Sequence, residues 1–168
     1  MIRKATLNDL SSILVIINAC TNHMIKNKIF QWNKKYPSKE VFYNDIKNKS
    51  LYVFENNKII IGCIMITESE SIVYKKVKWK TINKKNLYVH RLAVNPKNQG
   101  KGFGMKLMTF AEQYALKRNF LSIRLDTFSK NKRNIKFYKS RGYIKTEDVY
   151  FPNQSIYPFH CYEKILNK

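Results

Sequence analysis

Apolar positions along this chain alternate between a period of two and a period near 3.6, and the switches mark out a succession of short elements. Ile2–Ala5 predicts a first strand. Leu10, Ile13, Leu14 and Ile17 then repeat at helical spacing, and Thr6 with Asp9 three residues on supplies a capping box for a helix running to Cys20 or beyond. Regularity lapses from Thr21 to Pro37, although Phe30, Trp32 and Tyr36 lie there. Ser38 caps a second helix over Lys39–Lys49, with Val41, Phe42, Asp45 and Ile46 at spaced positions. Leu51–Glu55 and Lys58–Thr67 read as a hairpin turning at Asn56-Asn57, a pair tolerant of positive φ. Glu68–Asn86 is polar and longer than an ordinary connection, which predicts a flap or a two-stranded extension.

The stretch Leu87–Gly104, LYVHRLAVNPKNQGKGFG, organises the rest. It opens as a strand, but Leu87 and Val89 share one face while Leu92 and Val94 fall on the other. A one-residue slip at His90-Arg91 predicts a β-bulge, against the plainer reading of a strand buried on both faces. Asn95-Pro96 ends the strand, Gln99–Gly104 makes a glycine-rich turn, and a helix starts at once with Met105, Leu107, Met108, Phe110 and Ala111. Strand, glycine turn and helix start together aim free N–H groups at an anion, most simply a phosphate or pyrophosphate. Further on, Leu121, Ile123 and Leu125 form one strand face with Arg124 and Asp126 on the other. A helix over 131–140 and strands over Tyr143–Phe151 and Tyr157–Leu166 close the chain. The order β-α-α-β-β-β-α-β-α-β-β predicts an α/β fold (α+β in some schemes), a mixed sheet with helices on both faces.

Composition narrows the setting. At 168 residues, with no repeat or low-complexity linker, residues 1–168 are expected to form one domain. No apolar run approaches the roughly 20 residues of a membrane span, and MIRKATLNDL lacks a signal-peptide core. Three widely spaced cysteines argue for a reducing compartment, without disulfides or a zinc site. A cytoplasmic protein without a membrane partner is expected. The formal net charge is +21, mostly lysine spread along the chain, and lysine rises together with Asn, Ile, Tyr and Phe. That slant points to coding composition, so a nucleic-acid partner is not expected.

The turn is neither G-x-G-x-x-G nor a P-loop. Gln99–Gly104 is instead Q-x-x-G-x-G, and HRLAVNPKNQGKGFG resembles the fourth strand, turn and third helix of the GNAT superfamily of N-acyltransferases. Asn131-x-x-Asn134-x-x-Phe137-Tyr138-x-x-x-Gly142-Tyr143 resembles that family's second signature, with Asn134 in place of a small alanine. The resemblance covers about the second half of the chain. It implies a mostly antiparallel central sheet with splayed fourth and fifth strands, and acetyl-CoA as cosubstrate without a metal. It further implies acetyl transfer to a primary amine by direct attack in a ternary complex. A small-molecule acceptor is expected. A protein or peptide N-acetyltransferase and a non-catalytic acyl-CoA sensor are the alternatives, and a homodimer is left open.

Carried over residue by residue, the resemblance makes Gln99, Gly100, Lys101, Gly102, Phe103 and Gly104 the pyrophosphate cradle. The main chain of Leu92 and Val94 would grip the pantetheine arm, and Asn131 would touch the cofactor. Tyr138 falls at the position of a tyrosine that protonates the leaving thiolate, and its ordinary pKa of ~10 suits a donor. The family's strand glutamate is replaced by Tyr88. His90, two residues on and with an ordinary pKa of ~6.5, is the candidate base on the strand, with Asp126 orienting it or acting through water, and its alternative is a structural hydrogen bond at the bulge. Glu68 and Glu70 are remoter choices, and ordered water is another. Trp32, Tyr36, Trp79, Tyr88 and Asp126 are candidates for the acceptor site, the two tryptophans and Tyr36 being equally suited to packing. His160 and Cys161, adjacent on a strand, point to opposite faces and do not make a nucleophile pair.

Overall fold

The computed structural model describes residues 1–166. Its elements are β1 (Ile2–Lys4), α1 (Leu10–Lys26), α2 (Lys39–Lys47), β2 (Leu51–Asn56), β3 (Ile59–Thr67), β4 (Asn86–Val94), α3 (Phe103–Lys117), β5 (Ser122–Phe128), α4 (Lys132–Ser140), β6 (Ile144–Val149) and β7 (Phe159–Ile165). One seven-stranded sheet has the order β1-β2-β3-β4-β5-β7-β6, and only β4 and β5 pair in parallel. The predicted mixed sheet with helices on both faces is therefore present. No helix among the described residues is long and apolar enough to cross a membrane.

Local chemistry accounts for most boundaries. The Asp9 carboxylate accepts the Thr6 N–H at 2.7 Å and also takes the Arg3 guanidinium, so the box closes over a short 3₁₀ turn, Leu7–Asp9, ahead of α1. Helix α1 runs through the stretch expected to be irregular as far as Lys26, because Cys20 and Thr21 remain on its buried face. Ser38 Oγ accepts from Val41 N–H at 3.4 Å and starts α2. The hairpin turns one residue later than expected, at Asn57-Lys58 with φ of 48° and 63°, since Asn56 still pairs with Ile59. Residues 68–85 join no strand and carry a single 3₁₀ turn, Ile72–Tyr74, so the two-stranded extension is absent.

Two features of β4 open a cleft in the sheet. Its register against β3 shifts between Cys63 and Met65, opposite Arg91, whose φ is 50°. The predicted bulge is there. The parallel pairing with β5 covers only Asn86–Tyr88 against Ser122–Arg124, so the strands splay beyond it. A bulge adds local twist, and the end of β4 stays paired with β3 through Ala93 and Val94 while it parts from β5. Gly62 lets β3 lie close beneath that end, for an added Cβ would stand 2.7 Å from the Ala93 carbonyl oxygen.

Each face has its own core. Leu107, Met108, Ala111 and Ala115 of α3 pack with Tyr138 of α4 on Ile64, Ile66, Leu87, Val89, Ile123 and Leu125. Ile13, Ile16, Ile17 and Cys20 of α1 pack with Phe42 and Ile46 of α2 on Leu51, Val53, Cys63 and Ala93. The 68–85 loop covers the rest of that second face through Tyr74, which meets Tyr88, Phe128, Phe159 and Cys161. It is tied down by the fully buried Arg124–Glu163 pair, with Glu163 accepting from Thr81 Oγ1 and Ser122 Oγ, both at 2.6 Å. Arg124 and Ser122 on the polar face of β5 are therefore sealed, whereas Asp126 on the same face is half-buried.

Candidate functional site

The splay opens a trench at the C-terminal end of β4. It measures about 320 Å³ and is lined by Leu92, Val94, Gln99, Gly100, Gly102, Phe103, Gly104, Arg133, Asn134 and Phe137 among others. Gly100 and Gly102 both have φ of 80°, a region open to glycine and strained for other residues. A Cβ built on Gly100 meets nothing within 4 Å, so the turn presents bare backbone to open space. Gly102 caps α3, whose first internal bond is Lys106 N–H to Gly102 O at 3.1 Å. The N–H groups of Phe103, Gly104 and Met105 precede it and carry the positive helix end.

Asn95 N–H donates to Ile61 O on β3 at 2.9 Å. By alternation along the strand, the main-chain groups of Val94 and Leu92 face away from β3 toward the opening. The Val94 carbonyl already accepts from Gln99 Nε2 at 3.0 Å and from Cys20 Sγ at 3.2 Å. Gln99 Oε1 in turn accepts from Arg133 at 2.6 Å, so Gln99 braces the turn with its side chain. Phe103 anchors α3 by packing on Phe54, with ring centroids 5.1 Å apart. Lys101 is exposed and lies outside the trench lining. Asn131 caps α4 by accepting from Asn134 N–H at 3.1 Å and donates to Gln31 at 2.9 Å. It faces an adjoining groove of about 260 Å³ that also contains Cys20 and Gln31.

At Leu92 and Asn134 the trench meets a larger cavity of about 670 Å³. Trp32, Tyr36, Tyr74, His90, Arg91, Asp126, Tyr138, Phe151, Phe159 and Glu70 are among its walls. Two hydrogen bonds tie the α1–α2 connection, which supplies Gln31, Trp32 and Tyr36 to the lining, to residues Asn131 and Asn153. Gln31 bonds Asn131, and Asn33 Nδ2 donates to the Asn153 carbonyl at 2.9 Å. Of the sequence-derived candidates, Trp32, Tyr36, His90, Asp126 and Tyr138 come together here. Trp79 and Tyr88 do not reach the lining. Trp79 meets Tyr74 edge to face and lies under the Arg124 guanidinium, and the Tyr88 hydroxyl lies 3.0 Å from Arg124 and donates to Glu70.

The electrostatics shift His90 and Asp126 in opposite directions. His90 lies parallel to the Tyr74 ring at 5.8 Å, and burial followed by the Arg91 charge lowers its pKa from 6.5 to about 3. It is therefore a neutral imidazole at working pH, not a base titrating near 6.5. Asp126 goes the other way. Burial raises its pKa to about 6, against the opposing Tyr74 hydrogen bond and Arg91 charge. Tyr74 donates its hydroxyl proton to Asp126 Oδ2, and among the described residues Oδ1 has no partner. Burial, then the Asp126 charge, raises the Tyr138 pKa and keeps the phenol protonated. No described residue accepts its proton. Arg91 is held bidentately by Asp45, at 2.7 and 2.8 Å.

These shifts predict a pH signature. The depressed pKa of His90 contributes stability that is complete above its unfolded value of ~6.5 and is lost as pH falls toward about 3. Asp126 opposes this, since its raised pKa contributes stability present below ~3.8 and lost as pH rises through about 6. The difference in unfolding free energy between wild type and His90→Gln should isolate the first effect. It should shrink below pH 6.5 by up to ~1.4 kcal/mol per pH unit. A pH-independent difference would place His90 in a more solvated setting.

Tyr74, Gln31, Arg133 and the Arg91–Asp45 pair escaped the sequence reading as site residues. Only Arg91, at the phase slip, carried a local signal. Cys161 is buried, with its thiol pKa raised, while His160 Nδ1 lies 2.7 Å from Asp148 on the other face of β7. Among the described residues no group of three or more His, Cys, Asp or Glu is placed to hold a metal.

Residues 17–143 match the model of the acetyltransferase (GNAT) family. No curated protein matches the chain. A Staphylococcus aureus protein assigned to the acetyltransferases is 27% identical, with 99% of each chain covered and a TM-score of 0.77. A GNAT-family acetyltransferase from Streptococcus agalactiae is 23% identical over 100% of this chain and 96% of its own, with a TM-score of 0.83. PaiA N-acetyltransferase from Thermoplasma acidophilum, solved in complex with coenzyme A, is 22% identical over 99% and 98%, with a TM-score of 0.71.

Proposed function

The chain belongs to the acetyltransferase (GNAT) family, and on that premise we propose that it transfers an acetyl group from acetyl-CoA to the primary amine of a small molecule, by direct attack in a ternary complex. The observation that carries the reading is the junction of trench and cavity at Leu92 and Asn134, with Tyr138 and Asp126 lining the cavity. The trench suits the cosubstrate. A turn of bare glycine backbone and a helix N-terminus favour a pyrophosphate, and outward main-chain groups at Leu92 and Val94 favour the amides of a pantetheine arm. The +21 charge favours such an anion at long range. Bound there, acetyl-CoA supplies an activated thioester carbonyl.

The chain's own residues then divide the proton work. Asp126 receives a proton from the acceptor ammonium, freeing the nitrogen lone pair for attack on the carbonyl carbon as the carbon–sulfur bond breaks. Tyr138 gives its proton to the departing sulfur and is reprotonated by the second proton leaving nitrogen. One proton in all is released, by way of Asp126, to solvent. His90 and Tyr74 build the wall that desolvates Asp126. A small acceptor is favoured over a polypeptide because the Gln31–Asn131 and Asn33–Asn153 bonds hold the α1–α2 connection against residues across from it, where an extended peptide would have to part them.

Tyr138→Phe tests the acid. It removes one hydroxyl and should lower kcat by roughly 10²-fold, the low end for general acid catalysis because a thiolate leaves readily, with acetyl-CoA affinity unchanged. Full turnover would reduce Tyr138 to packing.

A further inference from the structure

The acceptor cavity is negative inside a strongly basic protein. Its charged lining residues are Glu70, Arg91 and Asp126. Arg91 is compensated by its bidentate partner Asp45. Neither Glu70 nor Asp126 forms a salt bridge with a described residue. Glu70 is instead held by neutral donors, Tyr88 Oη at 3.1 Å and Asn83 Nδ2 at 3.0 Å. Those two bonds leave acceptor capacity on both oxygens. Asp126 keeps Oδ1 without a partner among the described residues. Around them stand the rings of Trp32, Tyr36, Tyr74, Phe151 and Phe159. Carboxylates without cations, among aromatic faces, are complementary to positively charged ligands.

The two carboxylates are also ordered along the cleft. Strands β4 and β5 run in parallel toward the trench, with Tyr88 level with Arg124. Asp126 therefore lies two residues, ~7 Å, nearer the trench than the level of Tyr88, to whose hydroxyl Glu70 is bound. The succession is thioester end, then Asp126, then Glu70. We propose that the acceptor is a linear amine with two cationic groups, the reacting one at Asp126 and the second held by Glu70. This deepens the acetyl-transfer reading and rests on it. Glu70 is the specificity-determining residue, positioned by Tyr88 and Asn83, and behind Tyr88 by Arg124, which ties the loop carrying Glu70 to the sheet.

The test compares 1,4-diaminobutane with 1-aminobutane as acceptors, in wild type and Glu70→Gln, following thiol release from acetyl-CoA. Wild type should favour the diamine in kcat/KM by tenfold or more. Glu70→Gln should reduce that ratio by about ten- to a hundredfold, matching the loss of one charge-assisted contact. The loss should fall on KM for the diamine more than on kcat, because the second cation is bound equally before and during reaction. Equal kcat/KM for the two amines in wild type overturns the inference while leaving acetyl transfer standing. A diamine preference that survives Glu70→Gln overturns the role of Glu70. Failure of both amines to react, with acetyl-CoA bound, overturns the transfer reading and the inference together.

Discussion

Asp126→Asn should lower kcat by ~10²–10⁴-fold while leaving acetyl-CoA affinity close to that of wild type. The substitution keeps the shape of the side chain and an oxygen for the Tyr74 hydroxyl, but removes the group that takes the acceptor's proton. The pH profile should change with it. Protonated Asp126 cannot accept a proton, so wild-type activity should rise with pH through an ionisation at about 6. That limb should be absent in Asp126→Asn, leaving only the ionisation of the acceptor amine. The groups facing Asp126 support the assignment. Tyr74 from the 68–85 loop donates to it, Arg91 of β4 lowers its pKa, and Tyr138 of α4 and Cys161 of β7 are protonated neighbours. His90, at about 3, does not titrate in the same range. An unchanged acid limb in Asp126→Asn would transfer the proton to water or to Glu70.

Gly102→Val should weaken acetyl-CoA binding by one to two orders of magnitude. The cause is backbone conformation more than steric overlap, since the nearest atom to a new Cβ at Gly102 is Met105 Cε, at 3.7 Å. A β-branched residue is poorly accommodated at φ of 80°, and forcing it there costs ~1–3 kcal/mol. The turn relaxes instead, and the N–H groups of Phe103, Gly104 and Met105 lose their common aim. Each ~1.4 kcal/mol so lost is a factor of ten in Kd. Calorimetric titration of coenzyme A into the folded variant reads the effect directly. Wild-type affinity would remove the anion cradle from Gln99–Gly104.

The elements that sequence made legible are those with a strong local signature. The phase slip at His90-Arg91 marked the bulge, and the glycine turn before Met105 marked the start of α3, because each leaves its mark within a few residues. The splay of β4 and β5 came from family resemblance and not from periodicity. What stayed hidden depends on contacts distant in sequence. Alternation put Arg124 on the polar face of β5, but nothing nearby announced that Thr81 and Glu163 would bury it completely. The opposite pKa shifts of His90 and Asp126 stayed hidden for the same reason. Ordinary pKa values favour the imidazole, whereas burial beneath the 68–85 loop depresses His90 and raises Asp126. Tyr74, which donates to Asp126 from 52 residues away and stacks on His90, sits in a loop without periodicity. Asn134, a departure from the family's alanine, proves to line trench, cavity and groove alike.

Direct transfer requires that one cleft bring acetyl-CoA in the trench and an amine in the cavity together at the same time. Thiol release from acetyl-CoA by the wild-type protein, measured across primary amines with and without a second cationic group, reads this without any substitution. Free coenzyme A and acetylated amine should form in equal amounts and depend on both substrates, with double-reciprocal plots that intersect as a ternary complex requires. Tight binding of acetyl-CoA with no amine-dependent thiol release, or parallel plots signalling an acetylated protein intermediate, would contradict it.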